Sequence, residues 1–133
     1  MLAQMFIFAM VGLGLEVVFT GVLDGITHRR KLLMGYSSVW YVPFYAAVPW
    51  AFERLWPYLV ALPWFTRGAV YVVLFHVGEY LAMGLLRLLL GQSPSEESYR
   101  KSAYNIHALT RLDFAPAFFV MGMLFEWLWL ATR

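Results

Sequence analysis

The sequence YVPFYAAVPWAFERLW at residues 41–56 recurs as FAPAFFVMGMLFEWLW at residues 114–129. Pro43 matches Pro116 without a gap, and a Phe-Glu pair and a Leu-Trp pair near the end of each stretch fall in the same register. A fixed pattern that occurs twice in two apolar stretches is typical of an internal duplication. The pattern therefore predicts that the chain was built from two copies of one unit.

A second match lies upstream of each copy. Glu16 precedes Gly21 by five positions, and Glu79 precedes Gly84 by the same five positions. The upstream matches are 79 − 16 = 63 residues apart and the downstream matches 116 − 43 = 73 residues apart, so the second connector is ten residues longer. Two constant offsets within one short chain favour a tandem duplication of a two-helix unit.

Composition places the chain in a membrane. Hydrophobic residues make up 62% of its 133 residues and charged residues only 14%, against about 25% charged residues in a soluble domain. This length accommodates about four spans of ~20 residues in one membrane domain covering residues 1–133. The net charge of +2 gives no reason to expect nucleic acid as a partner, and the lack of cysteine excludes disulfides and thiolate metal sites.

We therefore predict an all-α membrane protein of four transmembrane helices, arranged as a tandem duplication of a two-helix hairpin. Repeat 1 covers about residues 2–60 and repeat 2 about residues 68–130. The four spans are predicted at about residues 2–23, 38–60, 68–90 and 113–130. Asp24-Gly25 is predicted to end the first span, which lacks the basic start and cleavage site of a signal peptide and is expected to be retained. Pro49 predicts a kink in the second span.

The repeat places four glutamates in apolar stretches: Glu16, Glu53, Glu79 and Glu126. A charged side chain at the centre of a span costs about 2.5–3.5 kcal/mol on insertion scales, so intramembrane glutamates are candidates for function. Glu16 and Glu79 lie near mid-span, where an apolar medium favours the neutral, protonated carboxyl group, and we expect them to form the functional site. Glu53, beside an arginine, and Glu126 lie towards the outer ends of their spans, where an interhelical hydrogen bond is an equally good interpretation.

His76 lies one helical turn before Glu79, so the two side chains can share a face and a hydrogen bond or proton. The plainer alternative is that His76 hydrogen-bonds a neighbouring helix. This pair lacks the second histidine of a zinc site, and we predict no metal and no cofactor.

The loop after the third span is the one polar segment long enough to cover the mouth of a helix bundle. Its polar residues, together with those at the start of the fourth span, could hold a lipid headgroup and supply a base. These candidates are Arg100, Lys101, Asn105, His107, Arg111 and Asp113.

Three functions are consistent with these patterns. The first is a permease-like protein that binds or moves a small solute, ion or lipid through its intramembrane glutamates. The second is a lipid-active enzyme that uses the polar loop, although no enzyme motif is present. The third is a non-catalytic subunit of a larger membrane complex. The expected partners are membrane lipids and either further copies of the chain or another membrane protein.

Several motifs together resemble the ABC-transporter type IV family of small multi-pass bacterial proteins, and the eukaryotic transmembrane protein 229 group is similar. The resemblance covers nearly the whole chain and rests on Gly12-x-x-x-Glu16, Gly35-x-Ser37-Ser38-x-Trp40-Tyr41-x-Pro43-x-Tyr45, Glu79-Tyr80 with Gly84, Asn105, Arg111-Leu112-Asp113-x-Ala115-Pro116 and Phe125-Glu126. The chain departs from the family after the third helix, where relatives have Trp-Asp-Tyr and it has Gly91-Gln92-Ser93-Pro94-Ser95. The resemblance implies four helices, a permease and the bacterial inner membrane.

Lys and Arg residues are distributed unequally between the predicted loops. The first and third loops contain Arg29, Arg30, Lys31, Arg100, Lys101 and Arg111, whereas the second loop and the C-terminus contain Arg67 and Arg133. Because basic loops stay in the cytoplasm, both termini are predicted to face the periplasm.

Single cysteines test this orientation. Ala3→Cys and Ala131→Cys should react with a membrane-impermeant thiol reagent in intact spheroplasts, and Thr27→Cys should react only after lysis. The reverse labelling pattern would exclude periplasmic termini.

Overall fold

The protein is described here by a computed structural model that covers all 133 residues. It is mostly helical, with one two-stranded antiparallel sheet. The elements are α1 (Leu2–His28), a 3-10 turn (Val39–Tyr41), α2 (Val42–Ala46), α3 (Val48–Leu59), α4 (Trp64–Leu90), α5 (Glu96–Arg100), β1 (Asn105–Ile106), β2 (Thr110–Arg111), a second 3-10 turn (Leu112–Phe114) and α6 (Ala115–Thr132).

Three helices are long and apolar enough to cross a membrane. They are α1, α4 and the segment Leu112–Thr132, which contains α6. Both α1 and α4 have 27 residues, or about 40 Å at 1.5 Å per residue, which exceeds the ~30 Å of a hydrocarbon core. Their surfaces expose large apolar side chains, including Leu2, Phe6 and Leu88. These features agree with the predicted helical membrane protein.

The predicted second span is not one continuous helix. The 3-10 turn, α2 and α3 follow one another, and the α-helix is interrupted at Ala47. Pro49 has no N–H group and its ring crowds the preceding turn, so the interruption falls beside the proline where the sequence predicts a kink. Pro43, in contrast, lies in the first turn of α2, where its missing N–H costs nothing.

The predicted end of the first span at Asp24-Gly25 is wrong, because α1 continues to His28. His28 Nδ1 lies 2.8 Å from Asp24 Oδ1, one turn earlier, which supports this last turn. The helix ends at Arg29, which has a left-handed φ of 52° and donates its N–H to the Gly25 carbonyl. The third span was predicted correctly to end at Leu90, where Gly91 takes a left-handed φ of 83°.

The chain forms two compact units. The first comprises Met1–Leu55 with Ala131–Arg133, and the second comprises Trp56–Leu130. In the first unit, α1 packs against α2. Gln4 Nε2 also donates to Thr132 Oγ1 at 3.0 Å, which joins the last residues of the chain to the start of α1.

The connector after α1 runs back along the helix that precedes it. Thr20 Oγ1 contacts the carbonyl of Tyr36 at 3.1 Å and accepts the Tyr36 N–H at 2.9 Å. The backbones meet where Gly21 faces Gly35, and a Cβ atom on Gly35 would overlap the carbonyl oxygen of Val17. Glycine is therefore required at the point where the connector contacts α1.

In the second unit, α4 packs against α6 through small residues and aromatic rings. A Cβ atom on Gly122 would overlap the Tyr71 side chain, and a Cβ atom on Gly68 would overlap the ring of Phe119. The Phe75 and Phe118 rings stack with centroids 5.7 Å apart. Small residues that let helices approach closely are typical of helix packing in membranes.

The predicted polar loop is folded. We call residues 91–114 the polar segment; it contains α5 and the β1–β2 hairpin, whose strands pair Asn105 with Arg111 and Ile106 with Thr110. The hairpin packs against α4, with Leu109 Cδ1 near Gly84. The all-α prediction is therefore incomplete, because strands of two residues carry no periodic pattern in the sequence.

Replacement of Gly35 tests the close approach between α1 and its connector. Gly35→Ala should lower the free energy of unfolding by about 1–3 kcal/mol, because the new methyl group overlaps the Val17 carbonyl. Gly14→Ala is the control, since nothing lies within 4 Å of a Cβ atom there, and it should be neutral or stabilising by up to about 1 kcal/mol. Equal unfolding midpoints of the two variants in detergent would contradict the contact.

Candidate functional site

Glu16 lies on α1 and accepts two hydrogen bonds from residues that follow this helix. Tyr45 donates its hydroxyl to Oε1 at 2.5 Å, and Ser37 donates its hydroxyl to Oε2 at 2.7 Å. Gly12, one turn before Glu16, provides the space for the Tyr45 ring. Both oxygens of a carboxyl group in a candidate membrane span are thus bound by neutral donors of the protein.

Glu79 lies on α4 and has the same kind of environment. Tyr99 of α5 donates its hydroxyl to Oε1, and Thr110 of β2 donates to Oε2 at 3.3 Å. Both donors belong to the polar segment, so the carboxyl group of Glu79 binds this segment to the middle of α4.

His76 and Glu79 are brought together, but through a third residue. His76 Nδ1 lies 3.0 Å from Thr110 Oγ1, and a hydroxyl has only one proton to donate. When Thr110 donates to Glu79, His76 donates to Thr110, which forms a chain of hydrogen bonds from the imidazole to the carboxylate. The Nε2 atom of His76 is buried and has no hydrogen-bond partner.

Glu126 is buried against an arginine. Arg67 binds it with two N–H donors, from Nε at 2.8 Å and from Nη2 at 2.9 Å, and Tyr71 adds its hydroxyl. A two-pronged guanidinium contact supplies a compensating charge as well as hydrogen bonds. This glutamate is therefore held in an ion pair, whereas the hydrogen bonds of Glu16 and Glu79 given above come from hydroxyl groups.

Glu53, which the sequence pattern aligns with Glu126, lies in a different environment. Its side chain is exposed, and the neighbouring Arg54 places its guanidinium over the Trp50 ring, 5.3 Å from the centroid. The sequence pattern treated Glu53 and Glu126 as equivalent, but burial separates them.

The polar segment forms a depression of 530 Å³ at the end of α4. Three of the predicted candidates for headgroup binding line it: Arg100, Asn105 and His107. Two charged lining residues, Arg87 and Glu96, were not predicted. Glu96 is buried and forms ion pairs with Arg87 and, at 3.2 Å, with Arg100.

The other predicted candidates lie apart from this depression. Arg111 and Asp113 pair with each other, with Nη2 and Oδ2 2.6 Å apart, and the Arg111 guanidinium lies 4.1 Å from the centroid of the Phe114 ring. Lys101 is exposed. The predicted cluster is thus divided, with the candidate base Asp113 bound to an arginine.

One wall of the depression has a strained backbone. His107 and Ala108 are consecutive non-glycine residues with positive φ angles of 53° and 56°, a conformation that costs about 1–3 kcal/mol at each position. Three contacts hold this turn: Arg87 donates to the His107 carbonyl at 2.7 Å, Tyr80 bonds the His107 ring at 2.8 Å, and Asn105 accepts the Ala108 N–H at 2.9 Å.

No protein-family model, curated protein or solved structure matches the chain. The resemblance to the ABC-transporter type IV family therefore stays a prediction. No group of three or more His, Asp and Glu side chains is placed to hold a metal ion.

Ser37, Thr110 and Tyr99 were not among the predicted site residues, although the first two left a signal in the sequence. Ser37 lies six positions before Pro43, and Thr110 lies six positions before Pro116, so the two hydroxyl donors have the same spacing from the two aligned prolines. Tyr99 left no comparable signal, because it lies where the second connector has its additional residues.

Removal of Arg67 tests the ion pair with Glu126. Arg67→Gln should destabilise the fold by about 3 kcal/mol or more, because it leaves a buried carboxylate without a counter-charge. Arg54→Gln, which removes an exposed arginine, should change stability by less than about 0.5 kcal/mol. In detergent unfolding, the double variant Arg67→Gln/Glu126→Gln should recover part of the loss, and a loss in Arg67→Gln no larger than in Arg54→Gln would exclude the pair.

Proposed function

We propose that the protein is a small multi-pass membrane protein that binds a small solute, ion or lipid in a permease-like manner, with Glu16 and Glu79 as its protonatable groups. One observation carries this proposal: each of these glutamates is bound by two hydroxyl groups of the segment that follows its helix. An ionisable group inside a membrane span is costly to keep, and it marks ion and substrate pathways.

Neutral donors leave either charge state of the glutamate accessible. A carboxylate accepts hydrogen bonds at both oxygens, whereas a protonated carboxyl group carries a proton on one of them and gives up acceptor capacity there. Proton uptake at Glu79 would therefore weaken its bond with Tyr99 or Thr110. Because both residues belong to the polar segment, this change would loosen that segment from α4.

The tandem duplication is part of the proposal, and the matching hydroxyl donors support it. Ser37 and Thr110 differ in position by 110 − 37 = 73, the same offset that relates Pro43 to Pro116. Their partners, Glu16 and Glu79, are related by the upstream offset of 63 residues. Residues at matching positions thus make the same bond in the two halves.

The second hydroxyl donor differs between the two glutamates: Tyr45 binds Glu16, and Tyr99 of the longer connector binds Glu79. Phe118 occupies the position that matches Tyr45, and it has no hydroxyl group. Phe118 instead packs on Phe75, at the position that matches Gly12. The hydroxyl that Glu79 would otherwise lack comes from Tyr99 in the longer connector.

We further propose that α2 and α3 together form a fourth, interrupted span. Residues 42–59 are helical except at Ala47, and interrupted helices line the binding sites of many transporters. The two short helices and Pro49 fit such a segment.

A binding function fits the polar groups better than a lipid-active enzyme does. A base for catalysis must lie near the substrate with an acceptor available to it, but the carboxylate of Asp113 is paired with Arg111. The carboxylate of Glu96, which lines the depression, is likewise paired with two arginines.

Native mass spectrometry of the protein in polymer-extracted native membrane discs tests the binding function. We expect a lipid or solute to be retained at about one per chain, and Glu16→Gln/Glu79→Gln to reduce its retention at least several-fold while the fold persists, since glutamine keeps the shape and the hydrogen-bonding capacity of the acid. Glu97→Gln, at an exposed position of the polar segment, is the control and should behave like the wild type.

Hydrogen exchange in residues 91–114 shows whether the Glu79→Gln substitution removes only the carboxyl group or also releases the polar segment from α4. Wild-type exchange, corrected for its intrinsic pH dependence, should increase as Glu79 takes up its proton, and Glu79→Gln should abolish this dependence. A double variant that retains the same molecules as the wild type would overturn the proposed role of the two glutamates.

A further inference from the structure

We propose that the depression at the end of α4 binds a phosphate group, carried either by a lipid headgroup or by a soluble phosphate ester. This site is separate from the glutamates of the proposed function. It is built by Arg87 of α4 and by Glu96, Arg100, Asn105 and His107 of the polar segment.

The first argument is charge. Arg87 and Arg100 both contact the single carboxylate of Glu96, which leaves one positive charge without a partner. The other formal charges of the polar segment do not offset it, because Glu97 and Lys101 cancel each other and Arg111 is paired with Asp113. The depression therefore has a net charge of about +1, which favours an anion.

The second argument is the availability of donors. A guanidinium has five N–H donors, whose fork matches the geometry of phosphate oxygens. Arg100 contacts Glu96 through Nη2, and its side chain is 67% exposed. Most of its donors are thus left for a ligand. The buried Glu96 positions this arginine without neutralising the pair of guanidiniums.

The third argument is pre-organisation. Arg87 donates to the carbonyl of His107, and this carbonyl lies in the strained turn described above. Tyr80 holds the His107 ring, and Asn105 holds the next N–H. Strained backbone that is held from several sides is concentrated at binding sites, because rigidity there reduces the entropy lost on binding.

The fourth argument is location and size. Arg87 lies in the last turn of α4, and the ends of a membrane span lie at the level of the lipid phosphates. The volume of 530 Å³ exceeds that of a bare phosphate ion and falls in the usual range for small-molecule sites. A phosphate with an attached alcohol, such as a glycerol phosphate unit, is therefore the class of ligand we expect.

Native mass spectrometry of the purified full-length chain in detergent tests the site, with phosphatidylglycerol as the lipid probe, diacylglycerol as the probe without phosphate, and glycerol phosphate as the soluble competitor. Wild type should bind phosphatidylglycerol and not diacylglycerol. Arg100→Gln should weaken this binding about tenfold, and Arg100→Lys, which keeps the charge, should weaken it less. Lys101→Gln removes the same charge from the neighbouring residue, which does not line the depression, and should bind like the wild type.

Displacement of phosphatidylglycerol by glycerol phosphate would support a site that recognises the phosphate ester itself. Binding of phosphatidylglycerol that glycerol phosphate does not displace would support a site for the lipid. Unfolding midpoints verify that the Arg100 variants are folded. Equal binding by wild type and Arg100→Gln, equal losses in Arg100→Gln and Lys101→Gln, or equal binding of diacylglycerol and phosphatidylglycerol would each overturn the proposal.

Discussion

A carboxyl group inside an apolar helix must find its hydrogen bonds within the protein, because the hydrocarbon of a membrane offers none. This constraint shapes both units of the chain. Glu16 and Glu79 obtain their donors from the segments that follow α1 and α4, so each segment has to fold back along its own helix. The same constraint then requires close contact, which the glycines at positions 21 and 35 permit in the first unit.

The fastening of the polar segment to Glu79 has consequences further along α4. With Tyr99 and Thr110 bound to Glu79, the β1–β2 hairpin lies against the helix, and its turn meets Tyr80 and Arg87. These contacts hold a strained turn that would be unfavourable alone. The depression is thus a product of the same docking that satisfies Glu79.

Glu126 shows that an intramembrane glutamate can have a different role. Arg67 supplies a full counter-charge, so this pair fastens α4 to α6 by an ion pair that is costly to break. Glu16 and Glu79 are bound by uncharged hydroxyls, which accommodate a change of protonation with smaller rearrangement. We therefore propose a structural role for Glu126 and protonatable roles for the other two.

The amino-acid sequence alone determined the mostly helical and apolar character of the chain, three of the helices to within a few residues of most ends, and the positions of the glutamates in apolar stretches, because apolar runs, Gly91 and the prolines act locally. Tertiary structure decided which glutamate is exposed and which is paired, since Glu53 and Glu126 share the pattern Phe-Glu-x-Leu-Trp and yet one is exposed and the other is buried against Arg67. It also decided that Tyr99 binds Glu79 and that Arg87 and Glu96 line the depression at the end of α4. Their partners lie 20, 20 and 9 positions away, at Glu79, His107 and Arg87, and no periodic pattern connects residues whose contact depends on a segment folding back on its helix.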